Sequence, residues 1–389
     1  SAASSRHHRD GGRELGGDSA VAFFDPSTRW AIALRRTEPP MNHTLAQKLL
    51  HAMQQRGFWS LAMRPLSWLY GALAARQRRR ALAAQVPLPV PVVVVGNVVM
   101  GGTGKTPIVA AIVNHLKANG WRPAVISRGY GGSLTAAQPP LFVSSTTSTD
   151  LCGDEPKWLQ QTTGVPVVVH RDRLAAAMHC LRQSENVDIL VSDDGLQHLV
   201  LPRSLELVVF DDRGLGNGLQ LPAGPLREPW QGRPIRQPIL GIYNRTGSNP
   251  DRIPASLSGE VPFYICERRM AGDFVRVDGL EAKAQLSGPV HVFTAIAKPD
   301  AFLAMLQQRA QAEGFVIKAI HTWPDHAPLN RLALPPTGGL PVICTAKDAV
   351  KLRENPSIDG SQCWIAPLTL SLPDAFWTAF DRFLPSKKD

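Results

Sequence analysis

Four consecutive valines, Val92–Val95, run directly into Gly96-Asn97-Val98-Val99-Met100-Gly101-Gly102-Thr103-Gly104-Lys105-Thr106-Pro107, and this junction constrains the fold more than any other feature of the chain. A short, continuous β-branched run predicts a strand buried on both faces, hence a mainly parallel sheet between helices. Beyond the glycines, Ile108, Val109, Ile112, Val113 and Leu116 have helical spacing, and Gly120 closes the helix. Strand, glycine-rich turn, Lys-Thr and helix together are the context of a phosphate-binding P-loop. Glycine allows backbone N–H groups to wrap around phosphates without a Cβ clash, and the helix N-terminus adds free donors and a favourable dipole. Val99, Met100, Gly101, Gly102, Thr103, Gly104, Lys105 and Thr106 are therefore expected to cradle the phosphates of ATP. Lys105 would reach the β- and γ-phosphates, and the Thr106 hydroxyl would ligate Mg2+. Pro107 suits a first helical turn, where its missing N–H does no harm. The strict pattern has glycine six residues before the lysine; here Val99 stands there, and Gly101-Gly102 is expected to make the turn.

Similar runs at Ala124–Ser127, Val165–Val169, Asp188–Ser192, Leu205–Asp211 and Ile239–Tyr243 alternate with helical stretches, predicting a core over residues 86–262. Residues 263–278 alternate as a hairpin does, and a β-hairpin linker is expected over 263–288. Strands at Val290–Thr294 and Val342–Thr345 predict a smaller C-terminal α/β lobe over 289–389. The expected fold class is α/β: a P-loop core with a mainly parallel sheet, a C-terminal α/β lobe and an N-terminal helical segment that associates with a membrane.

Residues 1–40 have no apolar period and no apolar stretch of the secretory-signal type, so a disordered extension is expected before Met41. Residues 41–85 read as helical: Leu45, Leu49, Leu50 and Met53 share one side of a helix over 43–57, and an apolar stretch from Phe58 to Ala75 precedes Arg76, Arg78, Arg79 and Arg80. Its uncharged part, Pro65 to Ala75, is eleven residues long, against about twenty needed to span a bilayer. A helix lying in the interface fits Trp59, Trp68, Tyr70 and the arginines; a helix packed on the protein itself is the other reading. The formal charge of +10 calls for a negative partner, and nucleic acid, anionic lipid and phosphorylated substrate all qualify. A nucleic-acid binder is disfavoured by the lack of a zinc motif, an aromatic RNA-binding signature or a helix-turn-helix. The five cysteines are scattered and form no C-x-x-C pair, which argues against zinc or disulfides and suits a reducing cytoplasm.

Acidic groups supply the remaining chemistry. Asp193 and Asp194 end the strand at Asp188–Ser192, where a carboxylate beside the P-loop positions magnesium; a simple turn is the alternative. Asp154, in Gly153-Asp154-Glu155-Pro156, is equally well read as a helix cap. His326, in Pro324-Asp325-His326, is open to a solvated-loop reading. Arg128, Arg173 and the pair Arg227-Glu228 suit either phosphate binding or carboxylate pairing.

Taken in order, VVVGNVVMGGTGKTP, VISRGYGG, GDEP, HRDR, SDDGLQH, LGNGLQLPAGPLREP, TAIAKPDAF, PDH and CTAKDAVKL, with LSWLYG upstream, resemble the tetraacyldisaccharide 4'-kinases of lipid A synthesis from about Met41 onward. The resemblance implies ATP-dependent phosphorylation of the 4'-hydroxyl of an acylated glucosamine disaccharide 1-phosphate at the cytoplasmic face of the inner membrane; a monomer is expected. It implies Asp154 as catalytic base, His326 as its partner, and Lys105 as the cation on the transferred group. By the same resemblance, Glu155, Asp193 and Asp194 lie near magnesium, and Arg128, Arg173, Arg227 and Glu228 contact substrate or nucleotide. The family usually has two adjacent histidines after the aspartate; here Ala327 holds the second place. Dimeric ATPases with a related loop carry a signature lysine just before the glycine pair, where this chain has Met100.

Overall fold

The computed structural model describes residues 53–230, 237–245, 253–279, 283–284 and 286–386. The extension expected over 1–40 and most of the helix expected over 43–57 lie outside the described residues. Helices α1 (Phe58–Ala62) and α2 (Arg64–Ala83) come first. Pro65 stands in the first turn of α2, where it is tolerated, and the apolar stretch is thereby divided at Met63. Next come β1 (Val92–Gly96), α3 (Lys105–Ala118), β2 (Pro123–Ser127), β3 (Leu141–Phe142), α4 (Thr149–Cys152), α5 (Asp154–Thr163) and β4 (Val167–Val169). Then follow α6 (Arg173–Gln183), β5 (Ile189–Asp193), β6 (Leu205–Phe210) and β7 (Ile239–Asn244). The rest comprises β8 (Phe263–Met270), β9 (Phe274–Arg276), β10 (Lys283–Ala284), β11 (Gly288–Thr294), α7 (Pro299–Glu313), β12 (Phe315–Thr322), β13 (Val342–Cys344), α8 (Ala346–Leu352), β14 (Cys363–Ile365), β15 (Leu368–Ser371) and α9 (Asp374–Phe383).

The larger sheet has nine strands in the order β15-β8-β7-β6-β1-β5-β2-β4-β3. It is parallel from β8 to β4, and its two edge strands are antiparallel. Strand β1 lies at its centre, paired to β5 and β6. Its valines divide between the faces. Val93 and Val95 pack with Ile108, Ile112 and Leu116 of α3, while Val92 and Val94 pack with Ala176, Ala177 and Cys180 of α6. This two-sided burial is why the strand reads as a continuous apolar run. The loops at the carboxyl ends of β1, β2 and β5 thus fall together, the usual place for a ligand in such a sheet.

A second sheet of six strands, ordered β10-β9-β14-β13-β11-β12, carries the other lobe. Two boundaries differ from expectation. Residues 263–278 do not form one hairpin: β8 extends the larger sheet alongside β7, whereas β9 pairs with β14 and β10 in the smaller one. The C-terminal segment also returns to the core, since β15 pairs with β8, and Phe376 and Phe380 of α9 are fully buried beside Ile108 and Leu159. Burying each phenylalanine is worth roughly 2–3 kcal/mol, which favours this return over an exposed tail.

Helix α2 docks through polar groups. Ser67 Oγ donates to Gln220 O (2.9 Å), the Tyr70 hydroxyl to Arg227 O (2.9 Å), and Arg78 pairs with Glu228 (2.8 Å). Phe58, Leu61, Leu66, Trp68, Leu69 and Leu73 meanwhile face solvent, Trp68 at 74% of its surface. Among the described residues no helix is long and apolar enough to cross a membrane. The packed-helix reading therefore holds for one side of the segment, and the other side is an exposed apolar ridge.

Candidate active site

Helix α3 begins at Lys105, with Gly104 as its N-cap in the left-handed region (φ 70°). The loop before it is held from outside. Asn97 Nδ2 donates to the carbonyls of Val99 (2.7 Å) and Gly101 (3.1 Å), and Met100 N donates to Pro225 O (2.8 Å). Arg213 donates to the carbonyls of Met100 (2.9 Å) and Gly102 (3.0 Å), and Asn244 Nδ2 donates to Thr103 O (2.6 Å). With carbonyls tied outward in this way, the loop can present its N–H groups to an anion.

Lys105 Nζ lies 3.2 Å from Asp194 Oδ1 and 3.3 Å from Asn97 Oδ1. Arg227 approaches the same Asp194 oxygen (3.6 Å), and Arg173 donates to the Asp194 backbone carbonyl (2.8 Å). Burial would raise the Asp194 pKa, but Lys105 and Arg227 outweigh it and hold the carboxyl below its usual value. Asp193 behaves oppositely: burial, then the charges of Glu155 and Asp194, push it up to about 7, and Lys105 and Arg173 offset only part of this. Oxygen donors from Thr106, Glu155, Asp193 and Asp194 are the set available to a hard divalent cation. Among the described residues no three carboxylate, imidazole or thiolate side chains are grouped to hold a metal ion. A cation here would therefore need phosphate and water oxygens as well, the usual condition of Mg2+.

Asp154 is the first residue of α5 and caps nothing with its side chain. Its carboxylate is 3% exposed, and His326 Nδ1 lies 3.0 Å from Oδ1. Two lysines of α8 flank the other oxygen, Lys351 at 3.4 Å and Lys347 at 3.5 Å. Burial pushes the Asp154 pKa up, yet the His326 hydrogen bond and the charges of Lys347, His326 and Lys351 prevail and hold it well below the ordinary carboxylate range. An ionised carboxylate only accepts, so the hydrogen between them sits on Nδ1 of His326. Lys347 also reaches Asp325 (3.2 Å) and Glu155 (3.4 Å). Glycine permits the local backbone turns: Gly131 and Gly153 take φ of 80° and 87°, and a Cβ on Gly153 would fall 2.5 Å from Tyr130 O. His326 and Asp194 are the non-glycine residues with positive φ among the described residues, at 64° and 49°. Such backbone strain persists where its surroundings enforce it, often at functional sites.

The tetraacyldisaccharide-1-P 4'-kinase family model matches residues 59–385. The chain belongs to that family. The tetraacyldisaccharide 4'-kinase of Acidovorax ebreus is 42% identical over 348 residues, covering 88% of this chain and 96% of that protein. That of Delftia acidovorans is 37% identical over 349 residues, covering 87% and 95%. In fold the chain is similar to LpxK from Aquifex aeolicus, solved in complex with ATP: TM-score 0.66, 22% identity, covering 84% of this chain and 99% of that one.

Within this member of the kinase family, the sequence-chosen residues form two adjoining groups: Lys105, Asp194, Arg173 and Arg227 around the loop, and Asp154 with His326. Glu155 and Asp193 connect them electrostatically. Glu228 is held by Arg78 (2.8 Å) and Gln197 (3.0 Å), so in this structure it joins α2 to the core. Arg128 is exposed at the end of β2. Sequence reasoning missed Lys347, Lys351, Arg213, Lys298 and Arg268. The quoted CTAKDAVKL contains both lysines at i, i+4, a spacing that puts them on one helix face, and that was the available signal. Lys298 reaches Asp211 (2.6 Å), which also binds Arg213 (3.0 Å).

Proposed function

We propose that this chain is a kinase that moves the γ-phosphoryl group of ATP to the 4'-hydroxyl of tetraacyldisaccharide 1-phosphate. One observation carries the proposal: a buried carboxylate kept ionised by His326, Lys347 and Lys351, adjoining a loop built to hold phosphates. A sugar hydroxyl is a weak nucleophile, so transfer needs positioning, charge neutralisation and a base. Asp154 accepts the hydroxyl proton as the new O–P bond forms and the bond to the ADP oxygen breaks. His326 orients Asp154 through Nδ1. Lys105 and the loop N–H groups hold the phosphates, and Arg227 lies beside the same Asp194 oxygen as Lys105. Thr106, Asp193, Asp194 and Glu155 would supply oxygen ligands to Mg2+, which when bound offsets charge on the phosphates. Burial, with the charges of Glu155 and Asp194, raises Asp193, and a site so short of positive charge supports a cation there. Asp154 and His326 come from different lobes, so lobe approach completes the site.

The exposed ridge of Phe58, Leu61, Trp68, Leu69 and Leu73 supports peripheral attachment to the cytoplasmic face of the inner membrane, where the acyl chains of the acceptor remain in the bilayer. Incubation with ATP and the disaccharide 1-phosphate should give a product one phosphate heavier by mass spectrometry, and Lys105→Ala should give none. ATP turnover with no phosphorylated lipid would refute the assignment.

A further inference from the structure

Two arginines grip the phosphate-binding loop, and they differ in one respect. Arg213 is neutralised: its Nε donates to both oxygens of Asp211 (3.0 and 3.1 Å), and its other nitrogens are spent on the Met100 and Gly102 carbonyls. It is a strut. Arg268, on β8, donates to Gly104 O (3.3 Å), and its Nε is shut off from solvent with no hydrogen-bond partner. The carboxylate charges that act on it are those of Asp211 and Asp212. Asp211 is engaged by Arg213 and Lys298, and Asp212 accepts from the Tyr243 hydroxyl (2.9 Å). Among the described residues no carboxylate forms an ion pair with Arg268.

Arg268 is partly buried with its Nε enclosed, and a guanidinium so placed without an ion-pair partner is costly; other unmet groups adjoin it. Thr103 Oγ1 and Asn244 Oδ1, on residues 2% and 0% exposed, are enclosed and unpartnered as well. All three belong to one small region: a Cβ on Gly104 would fall 1.8 Å from Arg268 Nη2 and 2.7 Å from Asn244 Nδ2. Buried polar groups are normally satisfied, and a cluster of exceptions calls for an explanation. Arg268 Nε and the Thr103 hydroxyl can donate, so their missing partner accepts hydrogen bonds, carries negative charge and sits against the N-cap of α3; Asn244 Oδ1 only accepts and is not met by it. We propose that Arg268 is a nucleotide-binding residue, contributed by the strand that leads into the second sheet, whose guanidinium takes negative charge from the phosphates of the bound nucleotide, with Asn244 and Thr103 as its polar surroundings. The proposal rests on the reading of the loop as an ATP site. It also gives that site a contact from β8, beyond the loop and helix that the motif specifies.

The test is ATP affinity, measured by calorimetry on the full chain without lipid acceptor. A charge-assisted hydrogen bond has a strength that makes Arg268→Met bind ATP on the order of ten- to a hundred-fold more weakly. The nucleotide-free protein should melt no lower than the parent, because the substitution removes an uncompensated charge. Arg268→Gln, which keeps a donor to Gly104 O but not the charge, should lose affinity similarly, and serves if the methionine variant does not fold. ATP affinity within two-fold of the parent in a folded Arg268→Met or Arg268→Gln protein overturns the proposal. Lys105→Ala is the control: if it too binds ATP normally, the nucleotide-site reading itself fails, rather than the role of Arg268.

Discussion

Replacing Asp154 by asparagine removes the buried charge on which His326, Lys347 and Lys351 converge, and should be costly. At 3.4 Å, each Lys–Asp154 attraction is about 5 kcal/mol gross at an effective dielectric near 20. Desolvation cancels most of this in the intact site, so the pair itself adds little net stability. Breaking it is another matter. Lys347 keeps Glu155 and Asp325 as partners, whereas Lys351, with a side chain 10% exposed, keeps the Ala327 carbonyl (3.1 Å). An unpaired buried lysine then costs about 3–5 kcal/mol. We expect Asp154→Asn to lose about 3 kcal/mol in urea unfolding at neutral pH without nucleotide, and Asp154→Asn/Lys351→Met to recover at least half of that. The pH dependence has a definite sign. The folded pKa of Asp154 lies below its unfolded value, so its stabilisation is fully present above the ordinary carboxylate range and disappears as pH falls through the folded value. The gap between parent and variant should therefore be constant from about pH 5 to 8 and close only in strong acid. Activity should fall by about 10²- to 10⁴-fold, as expected for loss of a general base. A single variant within about 1 kcal/mol of the parent, or one that Lys351→Met fails to rescue, would refute the charge-cluster argument.

Three further outcomes are expected. His326→Ala should lower kcat by a factor similar to Asp154→Ala, and the double variant should be little worse than the poorer single one; additive losses would show that the two act separately. Asp193→Asn should abolish transfer yet stabilise the nucleotide-free protein at pH 7 by at least about 1 kcal/mol, the equivalent of one pKa unit, because folding raises the Asp193 pKa and its ionisation opposes folding increasingly from about pH 4 to 7. Unfolding curves at pH 5 and 7 decide this: the gain should be the smaller at pH 5, and a gain independent of pH is the contrary result. Leu61→Glu/Trp68→Glu should reduce flotation with anionic liposomes while leaving ATP affinity unchanged; undiminished flotation would mean that the membrane contact lies elsewhere.

The sequence by itself determined what local forces determine. The β1 run, the glycine turn and the start of α3 at Lys105 follow from burial, backbone freedom and helix-end chemistry within some thirty residues, and the structure has them at Val92–Gly96 and Lys105–Ala118. The parallel core strands were legible for the same reason, because burial on both faces leaves a continuous apolar run. The alternation at 263–278 does not make a hairpin, because it reports that a strand has two unlike faces but not which strand it pairs with; β8 and β9 belong to different sheets. Asp154 and His326 were each ambiguous in isolation. They are 172 residues apart and meet at 3.0 Å only because α5 and the loop before β13 are brought together by the packing of α5 on α8. That packing also decided what no local pattern encodes: the lysines of α8 reach a carboxylate some 190 positions away, and Arg268 lies against Gly104. Charge interactions of this kind depend on distance and burial in three dimensions, and neither quantity can be read from residue order.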